Sequence, residues 1–178
     1  MGLIRKIFHL GFDDKLLSSR YPLALKLIRI ISSLFFTAAM IYYIVTFSIS
    51  VLKFFTFEVF LLTTICFDLT ALSYLCKQLR PLAYVFNELI FPFNCIVTII
   101  YWAYLSPYSY SESQIMGFIV PHTIPVLMNF IDYSLNEIQF YRKHYLVPFA
   151  YMIIYGFGVL LPITLIEGEL YIFQFHYY

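Results

Sequence analysis

The chain has 178 residues, of which 62% are hydrophobic and 12% charged, against about 45–50% and about 25% in ordinary soluble domains. Eleven Lys and Arg face ten Asp and Glu, for a net charge of +1. That leaves no basic field to hold a nucleic-acid backbone, and the hydrophobicity is the opposite of a disordered chain's. A bilayer is the solvent that fits, so the expected fold is an all-α, multi-pass transmembrane helical bundle with membrane lipids as its immediate partners.

Residues 1–25 interleave Leu3, Ile4, Ile7, Phe8 and Leu10 with Arg5, Lys6, Lys15 and Arg20, a pattern that predicts an amphipathic interfacial segment turning near Pro22. The amino end lacks the long apolar run and small-residue cleavage site of a signal peptide. A spanning helix needs about 20 mostly apolar residues, and about five stretches qualify: 28–49, 57–76, 83–105, 115–136 and 146–166. They make residues 26–166 a five-helix bundle. The closing aromatic stretch, 167–178, is too short to span and is expected at the membrane surface. Cys66, Cys76 and Cys95 all lie in apolar stretches without metal or redox spacing, and so read as small apolar side chains.

Cytoplasmic loops collect Lys and Arg, and the charges alternate accordingly. Residues 1–29 carry six (Arg5, Lys6, Lys15, Arg20, Lys26, Arg29), the second-to-third connection carries Lys77 and Arg80, and the fourth-to-fifth carries Arg142 and Lys143; the opposite side holds Lys53 alone. The amino terminus is therefore expected on the cytoplasmic or matrix side.

Polar side chains are costly in hydrocarbon and turn inward. On the fourth span His122, Pro125, Asn129, Asp132 and Asn136 recur at three- and four-residue intervals, which is one stripe of a helix. Thr63, Cys66, Thr70, Ser73 and Lys77 do the same on the second span, and Asn87, Phe91, Asn94, Thr98 and Tyr101 on the third. Three such seams predict a shared polar interior, with Thr70, Asn94 and Asn129 as groups that would contact a bound substrate. Helix-to-helix hydrogen bonding explains the same seams without any ligand.

His122 is the one histidine well inside a span. Thr63 lies about six residues into its span and His122 about seven into its own, from the same side, so both are expected roughly 10 Å below one surface. A hydroxyl beside an imidazole is the minimal pair for nucleophilic acyl transfer, although a membrane Thr also commonly bonds back to the carbonyl one turn earlier. Asp132, ten residues on, is about 15 Å further along and out of reach of that imidazole. Asp68 and Asp132 offer, with Lys77, a proton or cation path, and pairing between helices or local snorkelling explains them as well. A bis-histidine haem would need a second intramembrane His, and phosphate-loop, nucleophile-elbow and zinc-protease motifs are missing, so no cofactor is expected.

The segments FLLTTICFDLTALSYLC (60–76), FPFNCIVTIIYWAYL (91–105) and HTIPVLMNFIDYSLNEIQFYRKHYLVPFAYMIIYGFGVL (122–160) resemble the multi-pass androgen-induced membrane hydrolases, which cleave fatty acid esters of hydroxy fatty acids, and their rolling-stone-like relatives. The resemblance implies a lipid-ester hydrolase with Thr63 as nucleophile and His122 as base, in the endoplasmic reticulum or plasma membrane. Family members usually have a sixth span and often a second His just before the catalytic one, where this sequence reads GFIVP (117–121). These departures leave room for a non-catalytic accessory or scaffold subunit of a larger membrane complex, in an organelle inner membrane, whose 20 Phe and 17 Tyr pack against other membrane proteins.

Overall fold

A computed structural model describes residues 16–105, 112–138, 146–162 and 165. Every regular element among them is helical. In chain order these are α1 (Pro22–Phe47), a 3₁₀ turn (Ile49–Lys53), α2 (Phe55–Leu72), a second 3₁₀ turn (Lys77–Leu79), α3 (Arg80–Ile100), α4 (Glu112–Leu135) and α5 (Leu146–Tyr155). α3 runs on through a π-helical turn, Tyr101–Leu105, and α5 through another, Gly156–Leu160. These five helices answer the five expected spans. Among the described residues three stretches, Pro22–Phe47, Phe55–Leu72 and Lys77–Ala103, are long and apolar enough by themselves to cross a membrane. The interfacial helix expected over residues 1–15, the basic turn at Arg142 and Lys143, and the aromatic tail lie outside the described residues.

Proline fixes where α1 begins. Pro22 occupies the first turn, where its missing N–H costs nothing and its fixed φ suits a helix. The helix thus starts six residues before the expected span, and the expected boundary at 25/26 falls inside it. Arg29, counted above as a loop charge, is consequently a helix-interior residue. Pro81 plays the same part at the start of α3.

α1, α2 and α3 pack in sequence, α4 lies against all three, and α5 packs on α3. The α1–α2 contact is aromatic toward its Ser48 end. Phe36 and Tyr43 of α1 meet Phe60 edge-on at ring-centroid distances of 5.5 and 5.6 Å, and Tyr43 meets Phe57 at 5.1 Å. Such geometries set the positive ring edge against the negative face. The outer faces of α1 and α5 are apolar and exposed, with Leu23, Ile31, Leu34, Val45, Phe149, Ile154 and Phe157 among them, as a lipid environment requires.

Candidate functional site: the polar interior

The three polar seams converge. Thr63, Cys66, Thr70 and Ser73 of α2, Asn87, Asn94 and Tyr101 of α3 or its continuation, and His122, Asn129 and Asp132 of α4 are all buried. Lys77 leaves the seam: it lies beyond the end of α2 and is exposed.

The α2–α3 interface is a ladder with two rungs. Asn87 Nδ2 donates to Thr70 Oγ1 at 3.1 Å. Seven residues back on α2 and seven on along α3, Asn94 Nδ2 donates to Thr63 Oγ1 at 3.0 Å. Equal steps in opposite directions are what antiparallel helices in fixed register produce, and seven residues is close to two turns. Each Thr also bonds back to its own helix, Thr63 to the Val59 carbonyl at 2.8 Å and Thr70 to that of Cys66 at 2.7 Å. Every hydrogen bond of the Thr63 hydroxyl among the described residues therefore goes to Val59 or Asn94.

α4 attaches to α3 in the same manner. The Tyr133 hydroxyl donates to the Asn87 carbonyl at 2.6 Å; eleven residues along each helix, the Thr98 hydroxyl donates to the His122 carbonyl at 2.5 Å. Pro125 removes the N–H that would have bonded the Pro121 carbonyl, and in membrane helices hydroxyl side chains commonly satisfy backbone near such breaks. The His122 ring stacks on Tyr101, with centroids 3.8 Å apart and planes 16° apart. Tyr101 opens the π-helical turn, an irregularity frequent at functional sites.

These registers correct the expected equal depth of Thr63 and His122. Thr63 is level with Asn94 and His122 with Thr98, four residues further along α3, so about 6 Å along the bundle separates them. Of the three expected substrate contacts, Thr70 and Asn94 are engaged in the rungs. Asn129 is buried on α4, and its Nδ2 has no hydrogen-bond partner among the described residues.

The strongest interaction in the interior is one the sequence reading did not anticipate. Arg29 of α1 grips Asp132 of α4 with two parallel bonds, Nε to Oδ1 at 2.6 Å and Nη2 to Oδ2 at 2.9 Å. Both residues are buried. Arg29 Nη1 also donates to the Leu16 carbonyl at 2.6 Å, and Asn136 Nδ2 to Asp132 Oδ2 at 2.7 Å. The planar guanidinium fork matches a carboxylate in this way, and the extra bonds compensate the desolvation of both charges. The same region is clamped from outside: the Ser19 hydroxyl donates to the Leu135 carbonyl, and Ser18 Oγ to Glu137 Oε2 at 2.7 Å.

A signal for Arg29 was available. Leu25, Arg29, Ser32, Phe36, Met40 and Tyr43 form the buried stripe of α1 at helical spacing, and Pro22 marks the helix start. Removing Arg29 from the loops also takes one charge from the ten on the basic side.

The other aspartate among the described residues sits elsewhere. Asp68 of α2 faces α1, where Ser33 Oγ donates to Oδ1 at 2.5 Å and Thr37 Oγ1 bonds both oxygens at 3.1 Å. The expected alternative of a shared Asp68, Asp132 and Lys77 path gives way to two separate centres. Among the described residues no group of three or more His, Cys, Asp or Glu is placed to hold a metal ion. No protein-family model matches this sequence, and neither a curated protein nor a solved structure matches the chain.

Proposed function

We propose that this chain is a non-catalytic accessory or scaffold subunit of a membrane protein assembly, inserted with its amino terminus on the cytoplasmic or matrix side. The observation that carries this reading is the use made of the Thr63 hydroxyl. A nucleophile would present it to a base, whereas here it completes a hydrogen-bonded rung with Asn94 and bonds back to Val59. Thr70 and Asn87 repeat that rung where no imidazole is involved, as expected of interhelical glue. The exposed aromatic and aliphatic faces of α1 and α5 supply surface for lipid and for partner membrane proteins. The test is hydrolysis of a fatty acid ester of a hydroxy fatty acid by the full chain in lipid nanodiscs. Wild type, Thr63→Ala and His122→Ala should all match the protein-free rate, while crosslinking in the native membrane should capture a partner through α1 or α5.

The second reading is the ester hydrolase, with Thr63 as nucleophile and His122 as general base. It is favoured by the full burial of both residues (0% and 3% exposed) on the flanks of one helix, a single turn apart. Turnover above background that both substitutions abolish would establish it. Enzyme and scaffold are thus separated by one assay.

A further inference from the structure

Charge compensation inside this bundle is uneven. Asp132 has a guanidinium, while Asp68, half-buried within a membrane-crossing helix, has two hydroxyls and no ion-pair partner among the described residues. An ionised carboxylate in apolar surroundings is costly unless paired, and within a span it marks a functional site by default. Two hydroxyl donors leave part of its capacity of about four acceptor positions unused.

Asp68 opens into a cavity of about 530 Å³ between α1 and α2, lined also by Ile30, Ala71, Leu72, Leu75 and Tyr74, with Ser33 and the ammonium-bearing Lys26 beside them. That volume falls in the range of small-molecule sites, about 300–1,000 Å³, and is far larger than a bare ion requires. The groove combines aliphatic side chains with the half-buried Asp68 carboxylate and the Lys26 ammonium, so a fitting occupant has an aliphatic part and a cationic head for Asp68. Ser33 and Thr37 spend their protons on the carboxylate, which leaves Asp68 as the acceptor and Lys26 as the donor of the groove. The Tyr74 ring face is taken by the Lys26 ammonium, whose Nζ lies 5.8 Å from its centroid, which leaves Asp68 as the group that meets a second cationic head.

We propose that this α1–α2 groove binds a protonated amine carried on an aliphatic chain, entering from the bilayer, with Asp68 as its counter-charge. The amine donates to Asp68, and its chain lies along Ile30, Leu72 and Leu75. Two sources share this chemistry, a free long-chain amine and the headgroup of an ethanolamine phospholipid. In the second case Lys26 meets the phosphate.

The experiment is native mass spectrometry of the full chain released from detergent, titrated separately with dodecylamine, phosphatidylethanolamine, phosphatidylcholine and sodium chloride. The expected result is retained amine adducts that Asp68→Asn weakens about tenfold or more, the loss of one charge-assisted hydrogen bond, and that Asp68→Glu preserves. Ala71→Phe, which fills the groove and keeps the carboxylate, should weaken them similarly and guards against misfolding of the Asn variant. Loss of the phosphatidylethanolamine adduct alone in Lys26→Ala supports the lipid headgroup as source; loss of neither amine adduct supports the free amine. Amine retention unchanged in both Asp68→Asn and Ala71→Phe overturns the proposal. So does equal, Asp68-independent retention of phosphatidylcholine, or an Asp68-dependent response to sodium with none to amines.

Discussion

Among the described residues two aspartates lie within the helices, Asp132 buried and Asp68 half-buried, and their surroundings are opposite. Asp132 is sealed between α1 and α4, gripped by Nε and Nη2 of Arg29 and by Asn136. Asp68 lies against a groove and, among the described residues, receives only the hydroxyls of Ser33 and Thr37. The difference separates structural charge from available charge. A carboxylate whose every demand is met within the fold holds helices together, whereas one met halfway, beside open space, is placed to meet something else.

The comparison breaks most visibly at Arg29. Arg29→Ala or Asp132→Ala strands a buried charge, and each should lower unfolding stability in detergent micelles by about 3–5 kcal/mol. A loss under about 1 kcal/mol in both would mean that the pair is solvated and not sealed.

Asp68→Asn should be mild by the same measure, shifting stability by less than about 1 kcal/mol, because the amide oxygen still accepts from a hydroxyl and no counter-ion is orphaned. A loss as large as that of Asp132→Ala would show an unsuspected partner and erase the contrast.

The rungs are the smallest effect and sharpen the comparison from the neutral side. Thr63 with Asn94 and Thr70 with Asn87 have the same chemistry in the same register, so double-mutant cycles with Val and Leu replacements should give about 0.6 kcal/mol each. Coupling confined to one rung would indicate that the other has a different task. In the ester assay above, Thr63→Ala should likewise leave the background rate unchanged.

Much of the fold was legible in the sequence. Apolar runs located five helices, and three- and four-residue spacing identified the faces that α2, α3 and α4 turn inward, because both properties are local and periodic. Thr63 bonding back to Val59 was equally foreseeable. Pairing across the bundle was not. Arg29 and Asp132 are 103 positions apart, Asp68 and Ser33 35 apart, and no local pattern states that such residues meet. Charge counting also worked against Arg29, since it treats an arginine near a helix start as a loop residue, although Pro22 had already placed it inside. The depth of His122 failed for a related reason: counting from the ends of hydrophobic stretches carries an error of about one turn, and here one turn is the whole separation in question.

The central claim, that Arg29 and Asp132 form one closed unit joining α1 to α4, is tested most directly by a double-mutant cycle with Arg29→Met and Asp132→Leu, read as unfolding free energy. Each single change should be severe while the double variant recovers most of the loss, because replacing both members of a buried pair by apolar residues of similar size is often neutral or stabilising. Strictly additive losses in the double variant would contradict it and would mean that the two charges do not meet.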